Sequence, residues 1–157
     1  MYKKRSMLST VVVLIAAAAL WWFTGGGGPV GDAPKGDGPA IVEDGTYTTK
    51  EDVAAYLHTY GELPGNFITK DEARALGWQG GGLKDIAPDS AIGGDRFGNY
   101  EELLPIEAGR IYYECDIDTL NAVSRGAKRI VYSNDGLIFY TDDHYESFTR
   151  LYGEATP

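Results

Sequence analysis

One cysteine, Cys115, and two histidines, His58 and His144, are all that the 157 residues contain of either type. A lone thiol excludes an intrachain disulfide and reads as a small buried hydrophobe. No grouping of Cys, His and Asp has metal-ligand spacing, so neither a metal nor another cofactor is expected. Basic residues are scarce as well: 14 Lys and Arg face 23 Asp and Glu, for a formal net charge of −9. Such a surface disfavours loose binding to nucleic acid or anionic lipid, and any polyanion site must be a local basic pocket. There is a single long apolar run, Met7 to Phe23, behind the basic cluster Met1-Tyr-Lys-Lys-Arg-Ser6. That order is the pattern of an export signal. The run falls between a usual signal core and the roughly 20 residues of a full span. Residues 1–24 are therefore expected to be a signal peptide or a membrane anchor. The domain would be extracellular, either secreted or tethered with its folded part outside.

Large apolar residues are also scarce from Gly25 to Asp44, where Gly and Pro dominate. Residues 25–45 read as a linker or pro-segment, and the folded domain is expected over 46–157. Thr49 can cap a helix with Asp52 at its third position, and Gly61 can end it. Thr69 opens a second helix with Glu72 three residues on, closed by Gly77. A short helical turn is expected over Leu83 to Ala87, stopped by Pro88. From Ile92 the texture changes to strands, with β-rich stretches at Ile111–Ile117, Arg129–Ser133, Leu137–Thr141 and Tyr145–Leu151. Ser133-Asn-Asp-Gly136 is a hairpin signal. Helices first and an antiparallel sheet afterwards define an α+β domain.

Several charges fall where a core has no use for them. Lys70 is the first residue of the second helix, where the helix dipole is already positive. The ordinary fate of such a lysine is an exposed stem; the alternative is that it and the helix start face an anion together. Glu114 lies in mid-strand, and Arg125 and Arg129 stand four apart. His144 follows two carboxylates at the head of an alternating run read as a short strand. An imidazole there is ordinarily just solvated, as is His58 on the first helix. Together, however, a carboxylate, an imidazole and three cations are what phosphoryl transfer without a metal requires. Spacing alone does not bring them to one place.

Four stretches carry a resemblance: Leu63-Pro-Gly-Asn-Phe-Ile-Thr-Lys70, Glu72-Ala-Arg-Ala-Leu-Gly-Trp78, Ile92-Gly-Gly-Asp-Arg-Phe-Gly-Asn99 and Thr141-Asp-Asp-His-Tyr-Glu-Ser-Phe-Thr149. In this order, with small gaps from Asp52 to Leu151, the chain resembles the barnase-like secreted microbial guanyl-specific ribonucleases. The resemblance implies helices packed on a five-stranded antiparallel sheet. It implies Glu114 as general base and His144 as general acid, with Lys70, Arg125 and Arg129 on the scissile phosphate and Tyr145 beside them. Asp95 matches the acid set against the lysine and glutamate, and Asp116 the one that holds the arginines. Arg110 and Asp135 match a structural ion pair. Phe97, Gly98, Asn99, Tyr100 and Glu101 match the guanine-binding loop. RNA is then the substrate and DNA is not, the protein acts as a monomer, and an acidic barstar-like intracellular inhibitor is the partner implied.

The chain departs from that family at Tyr100, where members carry Arg directly after the loop Asn. The Glu102-Leu103-Leu104-Pro105 that follows also lacks the small and basic residues expected there. These changes bear on base selection and RNA affinity, leaving the acid–base pair intact. A second reading is an attenuated, non-enzymatic RNA- or inhibitor-binding module on the same fold. A third, a membrane-tethered toxin, shares the chemistry and differs only at the N-terminus.

Overall fold

The computed structural model describes residues 40–154, which fall in one compact unit, Gly38–Pro157. The leader at 1–24 and most of the 25–45 linker lie outside the described residues. Among the described residues, no helix is long and apolar enough to cross a membrane.

Helix α1 (Lys50–Tyr60) starts where the sequence supplies a cap. The Thr49 hydroxyl accepts the Asp52 N–H at 3.2 Å, and Gly61 ends the helix in the left-handed region at φ 76°. Its buried face is Val53, Ala54, Tyr56 and Leu57. The Tyr56 and Tyr60 hydroxyls reach back to the carbonyls of Glu43 and Ile41, tying the preceding segment to the helix. Helix α2 (Lys70–Ala75) has a complete capping box between Thr69 and Glu72, which satisfies two orphan N–H groups reciprocally. Leu83 to Ala87 makes one hydrogen-bonded turn, with the Ile86 and Ala87 N–H groups both on the Leu83 carbonyl.

Six strands follow one another across the sheet: β1 (Phe67–Ile68), β2 (Ala91–Phe97), β3 (Tyr112–Asp116), β4 (Arg129–Ser133), β5 (Ile138–Thr141) and β6 (Thr149–Tyr152). The five from β2 onward pair antiparallel, giving the α+β architecture read from the sequence. Strand β1 is an addition to the expected five and pairs parallel to β2. It exists because the turn at Pro64 lays the chain along the β2 edge, where the Asn66 carbonyl accepts the Ala91 N–H at 3.0 Å. Two residues are too short to show any alternation in sequence.

The last strand corrects the sequence reading. It begins at Thr149, and Tyr145–Phe148 belongs to a loop. His144 and Tyr145 both lie in the left-handed region, at φ 59° and 75°, which no strand ladder accommodates. Asp143 stabilises this turn by accepting the Ser147 N–H at 3.0 Å and the hydroxyls of Thr141 (2.7 Å) and Ser147 (2.5 Å). Local side-chain bonds to the backbone have won over the extended chain.

Alternation along the strands divides two cores. Cys115, Ile117, Ile130 and Ile138 pack against Val53 and Leu57 of α1. Tyr112, Val131 and Phe139 face the other way and pack with Leu104 and Leu137 beneath the loops. Burying one such aliphatic side chain contributes about 1.5–3 kcal/mol. Glu114 and Asp116, two and four residues after Tyr112, share the face turned away from α1. Asp95 and Phe97 stand opposite Glu114 and Tyr112 in the β2–β3 register, and Arg129 stands opposite Asp116. The sheet thus gathers the charged residues on one side.

Candidate active site

Glu114 is 8 % exposed in the middle of β3, between strands β2 and β4. Lys70 reaches it from the start of α2, with Nζ 2.5 Å from Oε1. The Lys70 backbone N–H donates to Asp95 Oδ2 at 3.0 Å. The anion facing the helix start is thus supplied by the chain itself. On the other carboxylate oxygen, Oε2, the Tyr145 hydroxyl donates at 2.5 Å. Burial alone would raise the Glu114 pKa. The hydrogen bonds from Lys70 and Tyr145, with the charges of Lys70 and Arg125, outweigh it and hold the group below the usual carboxylate range. Glu114 is therefore a buried yet ionised carboxylate.

Asp116, 1 % exposed, organises the two arginines. Arg125 donates to it in a fork, Nε and Nη2 each at 2.7 Å, and its guanidinium lies 5.9 Å from the Trp78 ring. Arg129 Nε lies 3.0 Å from Asp116 Oδ1 and donates to the Tyr145 hydroxyl at 3.1 Å. Its Nη1 donates to the carbonyls of Arg125 and Lys128. One buried carboxylate between two guanidiniums leaves a net positive charge that suits an anion. The two arginines are not equivalent, however. The Arg125 side chain is 22 % exposed and that of Lys70 27 %, whereas Arg129 is sealed at 3 %. Lys70 and Arg125 can touch a ligand directly; Arg129 can reach one only through its charge and through Tyr145.

His144 is exposed on the β5–β6 loop, its ring 4.8 Å from that of Tyr145. Asp143 holds this loop, and its pKa is lowered to about 2 by the bonds from the Ser147 side chain, the Thr141 hydroxyl and the Ser147 N–H. His58 lies instead on α1, against the other face of the sheet, stacked 4.4 Å from Tyr152. Arg110 and Asp135 pair at 2.8 Å beside the hairpin turn, away from Glu114.

The segment Phe97–Glu101 forms the rim. The Phe97 ring stacks on Tyr145 at 5.3 Å, which joins this loop to the charged cluster. Asn99 adopts a left-handed φ of 47°, and its side-chain amide closes the loop on both backbone groups of Leu104, at 2.9 and 3.0 Å. That side chain is therefore occupied in shaping the loop. Tyr100 is 90 % exposed. Its ring lies against Gly98, where an added Cβ would fall 2.2 Å from the ring. Glu101 is likewise exposed on the rim. Beside the same loop opens a groove of ≈ 590 Å³, lined by Tyr100, Pro105, Ile106 and Tyr112 but by neither Glu114 nor His144.

The structure therefore assembles Lys70, Asp95, Glu114, Asp116, Arg125, Arg129 and Tyr145 into one hydrogen-bonded cluster, flanked by His144 and Phe97. Gly98, Asn99, Tyr100 and Glu101 follow Phe97 in the adjoining loop. Sequence reasoning missed Asp143, although an Asp two residues after Thr141 and four before Ser147 is a local turn signal. It also missed the Tyr145–Glu114 bond and the Trp78–Arg125 contact, which join residues distant in sequence.

An α+β fold that gathers a buried carboxylate and three cations at one place suits a nuclease. The ribonuclease family model matches residues 50–152, and the chain belongs to that family. It is 49% identical over 105 residues to a ribonuclease of Bacillus intermedius, a match covering 66% of this chain and 64% of that protein's length. A ribonuclease of Heyndrickxia coagulans is 48% identical over 105 residues, covering 66% and 95%. The guanyl-specific ribonuclease St of Saccharopolyspora erythraea is 46% identical over 55 residues, covering 35% and 54%.

Proposed function

We propose that the chain is an endoribonuclease that cuts single-stranded RNA without a metal ion, with a preference for guanine. Glu114 takes the proton of the ribose 2′-hydroxyl, and that oxygen attacks the neighbouring phosphorus. His144, protonated, donates to the departing 5′-oxygen. The product is a 2′,3′-cyclic phosphate, which water then opens with the two roles reversed. Lys70 and Arg125 meet the phosphoryl oxygens, and Arg129 adds its charge from behind. The amides of Phe97–Glu101 and the Glu101 carboxylate read the base edge. DNA lacks the 2′-hydroxyl and is not a substrate.

The observation that carries this reading is Glu114 itself, a buried carboxylate kept ionised beside Lys70 and Arg125. A binding module has no use for a base so placed, which favours the enzyme over the non-enzymatic reading. The likeness to the guanyl-specific ribonuclease of Saccharopolyspora erythraea supports guanine as the preferred base. The basic leader and apolar run support export, as a secreted or tethered toxin. Export makes an acidic barstar-like inhibitor a useful partner inside the producing cell. Digestion of single-stranded oligoribonucleotides with and without guanine, in excess EDTA, tests the proposal. The guanine-containing strands should be cut and the matching DNA left intact; cleavage that appears only on adding Mg²⁺ or Mn²⁺ overturns it.

A further inference from the structure

Four parts of the site meet at Tyr145. Its hydroxyl donates to Glu114 Oε2 at 2.5 Å and accepts from Arg129 Nε at 3.1 Å. Its ring stacks on Phe97, and His144 is its neighbour in sequence and in space. Its backbone N–H is held by the Thr141 hydroxyl at 3.1 Å. The left-handed backbone of His144 and Tyr145 is a conformation that persists only when its surroundings enforce it.

We infer that Tyr145 is a positioning residue for Glu114: its hydroxyl stays on Oε2 through the reaction and fixes the plane of the carboxylate. Oε1 is held by Lys70, and the remaining lone pair of Oε2 is left to receive the substrate proton. The inference rests on the reading of Glu114 as the base. A carboxylate on a flexible stem rotates broadly about its last torsion. An ammonium is a point charge with rotatable donors and cannot fix that rotation alone. A second donor on the other oxygen does so. Arg129 donates to the same hydroxyl and polarises it, so the two bonds strengthen each other. Tyr145 keeps its own proton, because burial and the neighbouring Glu114 carboxylate raise its pKa. The proton taken from the 2′-hydroxyl therefore ends on Glu114.

The charged groups facing Glu114 are Lys70, Arg125, Arg129 behind Tyr145, Asp95 opposite on β2, and Asp116 further along β3. Tyr145→Phe keeps the ring and its stack and removes only the hydroxyl. In the full chain, the Glu114 carboxyl carbon is followed by ¹³C NMR against pH in the wild type and in Tyr145→Phe. Its midpoint should rise by about one pH unit in the variant, the size expected for one lost bond to a charged group. The acid limb of kcat/KM on a GpU-type dinucleotide should rise with it, and KM should stay within about twofold, as for a group that acts through the base and not on the substrate. In the wild type, the Tyr145 Cζ resonance should titrate at the Glu114 midpoint, a readout that needs no variant. An unmoved midpoint, or a Cζ signal blind to Glu114, overturns the tie. A KM increase with kcat unchanged assigns the hydroxyl to substrate binding and overturns it equally. A midpoint that moves while the acid limb stays fixed contradicts Glu114 as the base, and the inference falls with that reading.

Discussion

At Glu114 burial is opposed by the hydrogen bonds from Lys70 and Tyr145 and by the nearby positive charges, and these prevail. With its pKa held down despite burial, the carboxylate is ionised at neutral pH, the state that a general base needs. General acid–base groups contribute about 10²–10⁴-fold each. Glu114→Ala and His144→Ala should each lower kcat by that order in steady-state assays, while His58→Ala, across the sheet, should leave it within about twofold of wild type. Near-full activity in His144→Ala with loss in His58→Ala would reverse the assignment. Tyr100 carries the second residue-level question. An arginine there would offer a charge-assisted donor, worth about 1.5–3 kcal/mol. The exposed tyrosine ring offers a face on which a base can stack for about 1–3 kcal/mol whatever its identity. Guanine preference should then be shallow in the wild type and sharpen in Tyr100→Arg, measured as the GpU to ApU ratio of kcat/KM. An unchanged ratio would make Tyr100 a bystander.

Strands β2 to β4 and the start of α2 carry most of the charged cluster, and loops complete it with Arg125, His144 and Tyr145. The β5–β6 loop presents His144 and Tyr145 together, and Asp143 holds it through three hydrogen bonds. Asp143→Ala should lower kcat about 10- to 100-fold by misplacing the histidine. Added to His144→Ala it should cost nothing further, since both remove one function. An additive loss would place Asp143 in some other role. This loop also marks where the sequence misled. Tyr145 to Arg150 alternates as a strand does, but three side-chain bonds from one aspartate outweigh that pattern over the first four residues. The helix starts were legible because Thr49 and Thr69 meet their partners three residues away. The hairpin at Ser133–Gly136 was legible for the same local reason. Lys70 and Glu114 lie 44 residues apart, and no spacing rule brings them together. Their meeting was expected from resemblance to a family alone. The two-residue β1 and the sealing of Arg129 had no signal in the sequence, since each depends on how a distant edge or loop closes.

For the whole molecule, the excess of 23 acidic over 14 basic residues sets the approach of a polyanion. If RNA is the substrate, as proposed, the acidic surface should repel it and only the cations of the cluster should attract it. Salt relieves the repulsion first and weakens the attraction later. Activity on long RNA should pass through a maximum at intermediate ionic strength; a steady fall from the lowest salt upward would contradict the repulsion. Acid stability follows from the same charges. Glu114, Asp135 and Asp143 all have pKa values below their ordinary ones. Each contributes stability that is present above its unfolded pKa and is lost as pH falls through the folded value. The unfolding temperature should therefore hold through neutral pH and drop below about pH 4, where free carboxylates begin to protonate. In the proposed reaction Glu114 and His144 pass a proton each through a 2′-hydroxyl attack, with no metal. The most direct test follows a GpU-type dinucleotide by ³¹P NMR in excess EDTA. A 2′,3′-cyclic phosphate should appear first and give way to the 3′-phosphate, and Glu114→Ala should slow its formation. A 5′-phosphate product, or no turnover until a divalent ion is added, would contradict the account.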